Sequence, residues 1–89
     1  MKVEFGRLAL TNDVLTFTGD ETVSVPVANI AWVEAGQRSR ELTLEITSRQ
    51  AQIHRFFITD VRWVQAVRDA CTDLIKVQLV EPVRMAAVG

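Results

Sequence analysis

Over residues 3–59 apolar and polar residues alternate in short stretches broken by turn-forming residues, and no helical period runs through them. Leu8 and Leu10 alternate with small or polar neighbours. Leu15 and Phe17 repeat the pattern after Asn12 and Asp13, two residues that tolerate the positive φ of a tight turn. This predicts a first β-hairpin. Gly19, Asp20 and Glu21 predict the next turn, and TVSVPV a short strand whose Pro26, lacking an N–H, belongs at a strand end or an edge. IAWVEA predicts a fourth strand running into Gly36, with QRSR as the loop that follows. In ELTLEIT the residues Leu42, Leu44 and Ile46 share one face, and Thr43, Glu45 and Thr47 the other, so one side meets a core and the other meets water. AQIHRFFIT carries apolar residues on both parities, Ile53 and Phe57 against Phe56 and Ile58. Its register stays open and a bulge is one solution.

At Thr59 and Asp60 the period changes. Either residue can cap a helix N-terminus, and at steps of about 100° Val64, Val67, Cys71, Leu74 and Ile75 gather on one face. Trp63, Ala70 and Val77 widen that apolar arc beyond what one packing face needs, which points to a second contact. The helix is expected to fade before Pro82, because the residue preceding a proline is biased away from helical angles. Residues 1–81 then form one domain, and residues 82–89 an apolar C-terminal tail whose Val83, Met85 and Val88 could add to a sheet edge in this chain or a neighbour.

The order of these elements carries a resemblance. GRLALTNDVLTFTGDETVSVPVANIAWVE looks like the start of GRAM-type and bacterial pleckstrin-homology-like (PH-like) domains, and FFITDVRWVQAVRDAC resembles the PH C-terminal helix, with Trp63 at the family's helix tryptophan. The resemblance spans about residues 6–71 and implies an α+β, mainly β fold: an open barrel of six to seven antiparallel strands capped by one C-terminal amphipathic helix. Six strands are counted here against the family's seven. Either residues 2–5 supply another strand or an exposed edge must be covered, which makes self-association an expected outcome.

Composition narrows the function classes. At 89 residues, 48% hydrophobic and 24% charged, the chain suits one folded domain rather than a disordered segment. Ten basic against 11 acidic side chains leave a net charge of -1, so no global field favours nucleic acid or an anionic membrane. The lone Cys71 and an N-terminus without a secretory pattern lead to the expectation of a cytoplasmic protein.

No residue pattern suggests an enzyme, a cofactor, a metal or a small-molecule substrate. His54 has no Cys, His or carboxylate at ligand spacing and is read as structural, and Cys71 as a small packed hydrophobe. Where PH relatives that bind inositol phosphates carry basic residues around the first hairpin, this chain has Asn12 and Asp13. Arg38, Arg40 and Arg49 are the remaining candidates for an anionic ligand, and a peripheral membrane-binding module is the alternative function. The favoured expectation is a non-enzymatic module for protein–protein interaction, with another copy of the chain, as a homo-oligomer, among the expected partners. Its interface candidates are Trp32, Val3, Phe5, Trp63, Val83, Met85 and Val88. For Trp32 two readings stay open: turned outward as an anchor, if Ile30 and Val33 face inward, or tucked into the core by a bulge.

Overall fold

Leu8, Leu10, Leu15 and Phe17, on one face of the first hairpin, are all buried, and their strands pair in the register that puts Leu8 opposite Phe17 and Leu10 opposite Leu15. The structure is a computed structural model that describes residues 3–86. Its elements are β1 (Val3–Leu10), β2 (Val14–Thr18), β3 (Thr22–Pro26), a 3-10 turn (Val27–Asn29), β4 (Ile30–Arg38), β5 (Glu41–Ser48), β6 (Ile53–Ile58), α1 (Trp63–Thr72) and β7 (Leu79–Ala86). The fold is mainly β: seven antiparallel strands form one sheet in the order β3-β2-β1-β7-β6-β5-β4, curled into a half-barrel with one helix.

The concave face holds the core. Leu44 and Ile46 of β5, Phe56 and Ile58 of β6 and Val83 of β7 meet the first hairpin there, with the Phe17 and Phe56 rings 5.8 Å apart. Gly6 makes room for this packing, since a Cβ at that position would lie 2.6 Å from the Phe17 ring. Full burial of each such side chain contributes roughly 1.5–3 kcal/mol. The double parity of β6 resolves without a bulge: Phe56 and Ile58 face in, while Ile53 and Phe57 face out.

Two expectations need correction. The helix is not C-terminal, and the segment expected as a tail is, up to Ala86, the strand between β1 and β6; the boundary drawn at residue 81 falls inside it. Pro82 is tolerated because β6 pairs with β7 only as far as Arg84, which leaves the side of Pro82 away from β1 without a ladder. Of residues 2–5, the described Val3, Glu4 and Phe5 supply no additional strand, since they open β1, and Lys2 lies outside the described residues. The second correction concerns helix length. Asp73 takes the left-handed conformation (φ 54°), donating its N–H to the carbonyls of Ala70 and Asp69, and ends α1 at Thr72. Leu74 and Ile75 therefore lie in an exposed linker, and the buried face is Trp63, Val67 and Ala70. Much of the apparent excess of apolar arc was never helix.

The linker and the helix start are held by two side chains. Asn12 does not adopt positive φ; its Nδ2 donates to the Ile75 carbonyl (2.8 Å) and its Oδ1 accepts the Val77 N–H (2.7 Å). Glu81, on the concave face of β7, is buried and accepts the N–H groups of Thr59 and Asp60 (2.9 Å for Asp60), the Thr59 hydroxyl and the Trp63 Nε1–H (3.0 Å). Neither Thr59 nor Asp60 caps α1 directly. Asp60 accepts the Arg62 N–H and guanidinium instead, and that hydrogen-bonded partner lowers its pKa. No helix among the described residues is long and apolar enough to cross a membrane.

Candidate functional site

An open sheet has two edges, and here they differ. β3 has five residues and ends in Pro26, features that blunt an edge against further pairing. β4 has nine residues, no proline and, among the described residues, a strand partner on one side only. The chain crosses between these edges through the 3-10 turn. Its Val27 is buried, and the turn is held from behind by Arg49, whose N–H bonds the Asn29 carbonyl (2.9 Å) and whose Nε bonds the Ala28 carbonyl (3.0 Å).

A bulge at the start of β4 sets the side chains. The register shifts between Ile30 and Trp32, so Ile30 and Val33 both face the core, three residues apart. Trp32 is thereby turned to the convex face, 61% exposed, with its Nε1 donating to Glu34 (3.2 Å). The bulge that could have buried it is what presents it. Beyond Trp32, α1 packs against β4 and the 3-10 turn, and between strand and helix lies a groove of about 320 Å³ lined by Ile30, Ala31, Trp32, Val33, Arg68, Cys71 and Thr72. Cys71 is exposed at this groove rather than packed in the core; partial burial raises its pKa, opposed by the charge of Arg49. The groove thus offers an indole, aliphatic surface, one guanidinium and an unpaired strand edge.

The other interface candidates do not join it. Phe5 is 75% exposed and Val3 half-buried, both on the convex face of β1, four strands away, or about 19 Å along the sheet. Trp63 and Val83 are core residues, 0% and 5% exposed, and are corrected on that ground: Trp63 is the plug of the half-barrel and Val83 points to its concave face. Met85 is half-buried on the same inner side of β7, and Val88 lies outside the described residues.

The three arginines also separate. Arg38 and Arg40 sit at the β4–β5 turn and Arg49 follows the far end of β5, about 23 Å away at roughly 3.3 Å per residue. They form no common anion site.

A second hollow, about 520 Å³, opens at one end of the half-barrel between Val23, Ala51, Gln52, Ile53, His54, Met85 and Ala86. His54 is half-buried there and desolvation lowers its pKa, but no nucleophile or carboxylate lines the hollow with it. Among the described residues no group of His, Cys, Asp and Glu could hold a metal ion.

The sequence reading missed Arg68 at the groove and the role of Glu81. For Glu81 a signal existed: it shares the parity of Leu79 and Val83, so an acidic residue stands at an inward position of a strand. No family model, curated protein or solved structure matches the chain.

Proposed function

We propose that the chain is a non-catalytic, PH-like binding module that takes up an extended protein segment as an added strand on β4, anchored by Trp32 in the groove against α1. The observation that carries this reading is the nine-residue unpaired edge with an exposed tryptophan beside it. Such an edge supplies main-chain hydrogen bonds to any extended segment, and an aromatic anchor in a neighbouring groove supplies selectivity. Seven strands closed by one helix support the PH-like reading. The single continuous sheet and the strand after the helix mark where the chain departs from that family's pattern. The single cysteine suits work in a reducing compartment such as the cytoplasm.

The test is a selection of extended peptides on the wild-type protein, followed by NMR mapping of the binders. Binders should perturb amides of β4 and the groove, and should weaken by about tenfold or more on Trp32→Ala, the loss of a buried aromatic anchor. Binders that map to β3 or to the hollow beside His54, indifferent to Trp32, would contradict the proposal.

A further inference from the structure

Four positions of β4 share the convex face: Trp32, Glu34, Gly36 and Arg38, which lie opposite Thr47, Glu45, Thr43 and Glu41 of β5. Among the described residues two of them carry a charge without an ion-pair partner, and Glu34 accepts only the neutral Trp32 Nε1–H. Glu34 faces another carboxylate, Glu45, which is itself paired with Arg55 at 2.8 Å. Arg38 faces Glu41, which is engaged by Arg84, and Arg84 in turn lies 4.7 Å from the centre of the Phe57 ring. Among the described residues neither Glu34 nor Arg38 has an ion-pair partner, and both are exposed on the free edge.

We infer that the segment taken up by β4 is the β4 of a second copy, paired antiparallel about a two-fold axis at Gly36; the inference rests on the edge-binding reading above. In that register Glu34 stands opposite the partner's Arg38, and Arg38 opposite the partner's Glu34, so the two unpaired charges satisfy each other twice. Opposite charges directly across a strand pair stabilise it and like charges destabilise it. Registers centred on Glu34 or on Arg38 would set like charges face to face. At the axis itself, where two identical residues meet, there is no side chain. Gly36 has no Cβ, and one placed there would already lie 2.9 Å from Thr43 Oγ1.

The ends of the joint fit as well. Pairing runs out at the two-residue β4–β5 turn, where Ser39 and Arg40 both hold positive φ (50° and 69°). The partner's turn then comes beside Trp32, within reach of a guanidinium stacked on the indole. Each α1 lies at its own copy's Trp32 end, away from the axis. The contact is isologous and closes as a dimer, so it uses up the open edge and does not propagate.

The experiment is a charge reversal on the full chain, read by sedimentation velocity over micromolar to millimolar concentration. Glu34→Arg alone and Arg38→Glu alone each turn two opposite-charge contacts into like-charge ones and should weaken the dimer by about tenfold or more. The double variant restores opposite charges and should return the dimer to within about threefold of wild type. Circular dichroism checks that the exposed substitutions leave the fold intact. A wild type that stays monomeric at every concentration, or a double variant no tighter than the single ones, overturns the inference. Peptides that bind β4 on a monomeric protein would overturn the self-pairing and leave the edge reading standing.

Discussion

Glu81→Gln removes a charge from the one buried carboxylate among the described residues and keeps its shape. The two carboxylate oxygens divide the work: Oε1 takes the Asp60 N–H (2.9 Å) and the Thr59 hydroxyl, and Oε2 takes the Trp63 Nε1–H (3.0 Å). A glutamine offers one acceptor and one NH2 group. In its better orientation it keeps the Thr59 and Asp60 side and turns the NH2 toward the indole N–H, donor against donor. Trp63 is fully buried, so its orphaned N–H cannot turn to water, and an unsatisfied buried donor costs about 1–3 kcal/mol. The expected loss is about 2 kcal/mol for Gln and about 4 kcal/mol for Ala, which also abandons the Thr59 and Asp60 bonds and leaves a void. For a chain of this size, at roughly 0.05–0.15 kcal/mol per residue, the Ala variant gives up much of the total stability. Urea unfolding followed by fluorescence measures this in a Trp32→Phe background, where Trp63 alone reports. A Gln variant within about 0.5 kcal/mol of its parent would refute the claim that Glu81 ties β7 to the start of the helix.

Three further outcomes follow from particular atoms. Thr43 is buried, and its Oγ1 has no hydrogen-bond partner among the described residues, so Thr43→Val should raise stability by about 1 kcal/mol in the same assay; a loss would mean that the hydroxyl is bonded. Ser39→Asn with Arg40→Gly puts residues suited to positive φ into the β4–β5 turn and should stabilise the monomer by about 1–2 kcal/mol, visible as a higher Tm; no change would show that the turn is unstrained. His54 has a pKa below 6.5 in the folded chain because burial disfavours its charged form, so on acidification the unfolded chain binds the proton first. Its contribution is complete above about pH 7 and falls as pH drops from 6.5 towards the lowered folded value. Urea midpoints should therefore decline over that window in wild type and stay flatter in His54→Gln, while equal slopes would contradict the assignment.

What could be read from the sequence was whatever followed from period and local turn chemistry. The alternation of Leu42, Leu44 and Ile46 gave the inward face of β5. What escaped depended on contacts distant along the chain. Leu74, Ile75 and Val77 prolong an apolar helical pattern past Thr72, and the left-handed Asp73 that stops the helix carries no signal as strong as a glycine. β7 was hidden because Pro82 and an inward Glu81 argue against a strand unless β6 has already stopped pairing and Thr59, Asp60 and Trp63 stand ready as donors. Trp32 was left undecided because its direction depends on one bulged residue, Ala31, and the groove beside it was illegible because α1 and β4 meet only in the folded chain.

Pairing of β4 with the β4 of a second copy is checked by amide hydrogen exchange at low and high protein concentration. Exchange should slow with concentration at the free-edge amides of Ile30–Arg38 while β3 stays unchanged, and Trp32→Ala should remove the effect. Slowing at Thr22–Pro26 or around Phe5, with β4 exchanging alike at both concentrations, would contradict it.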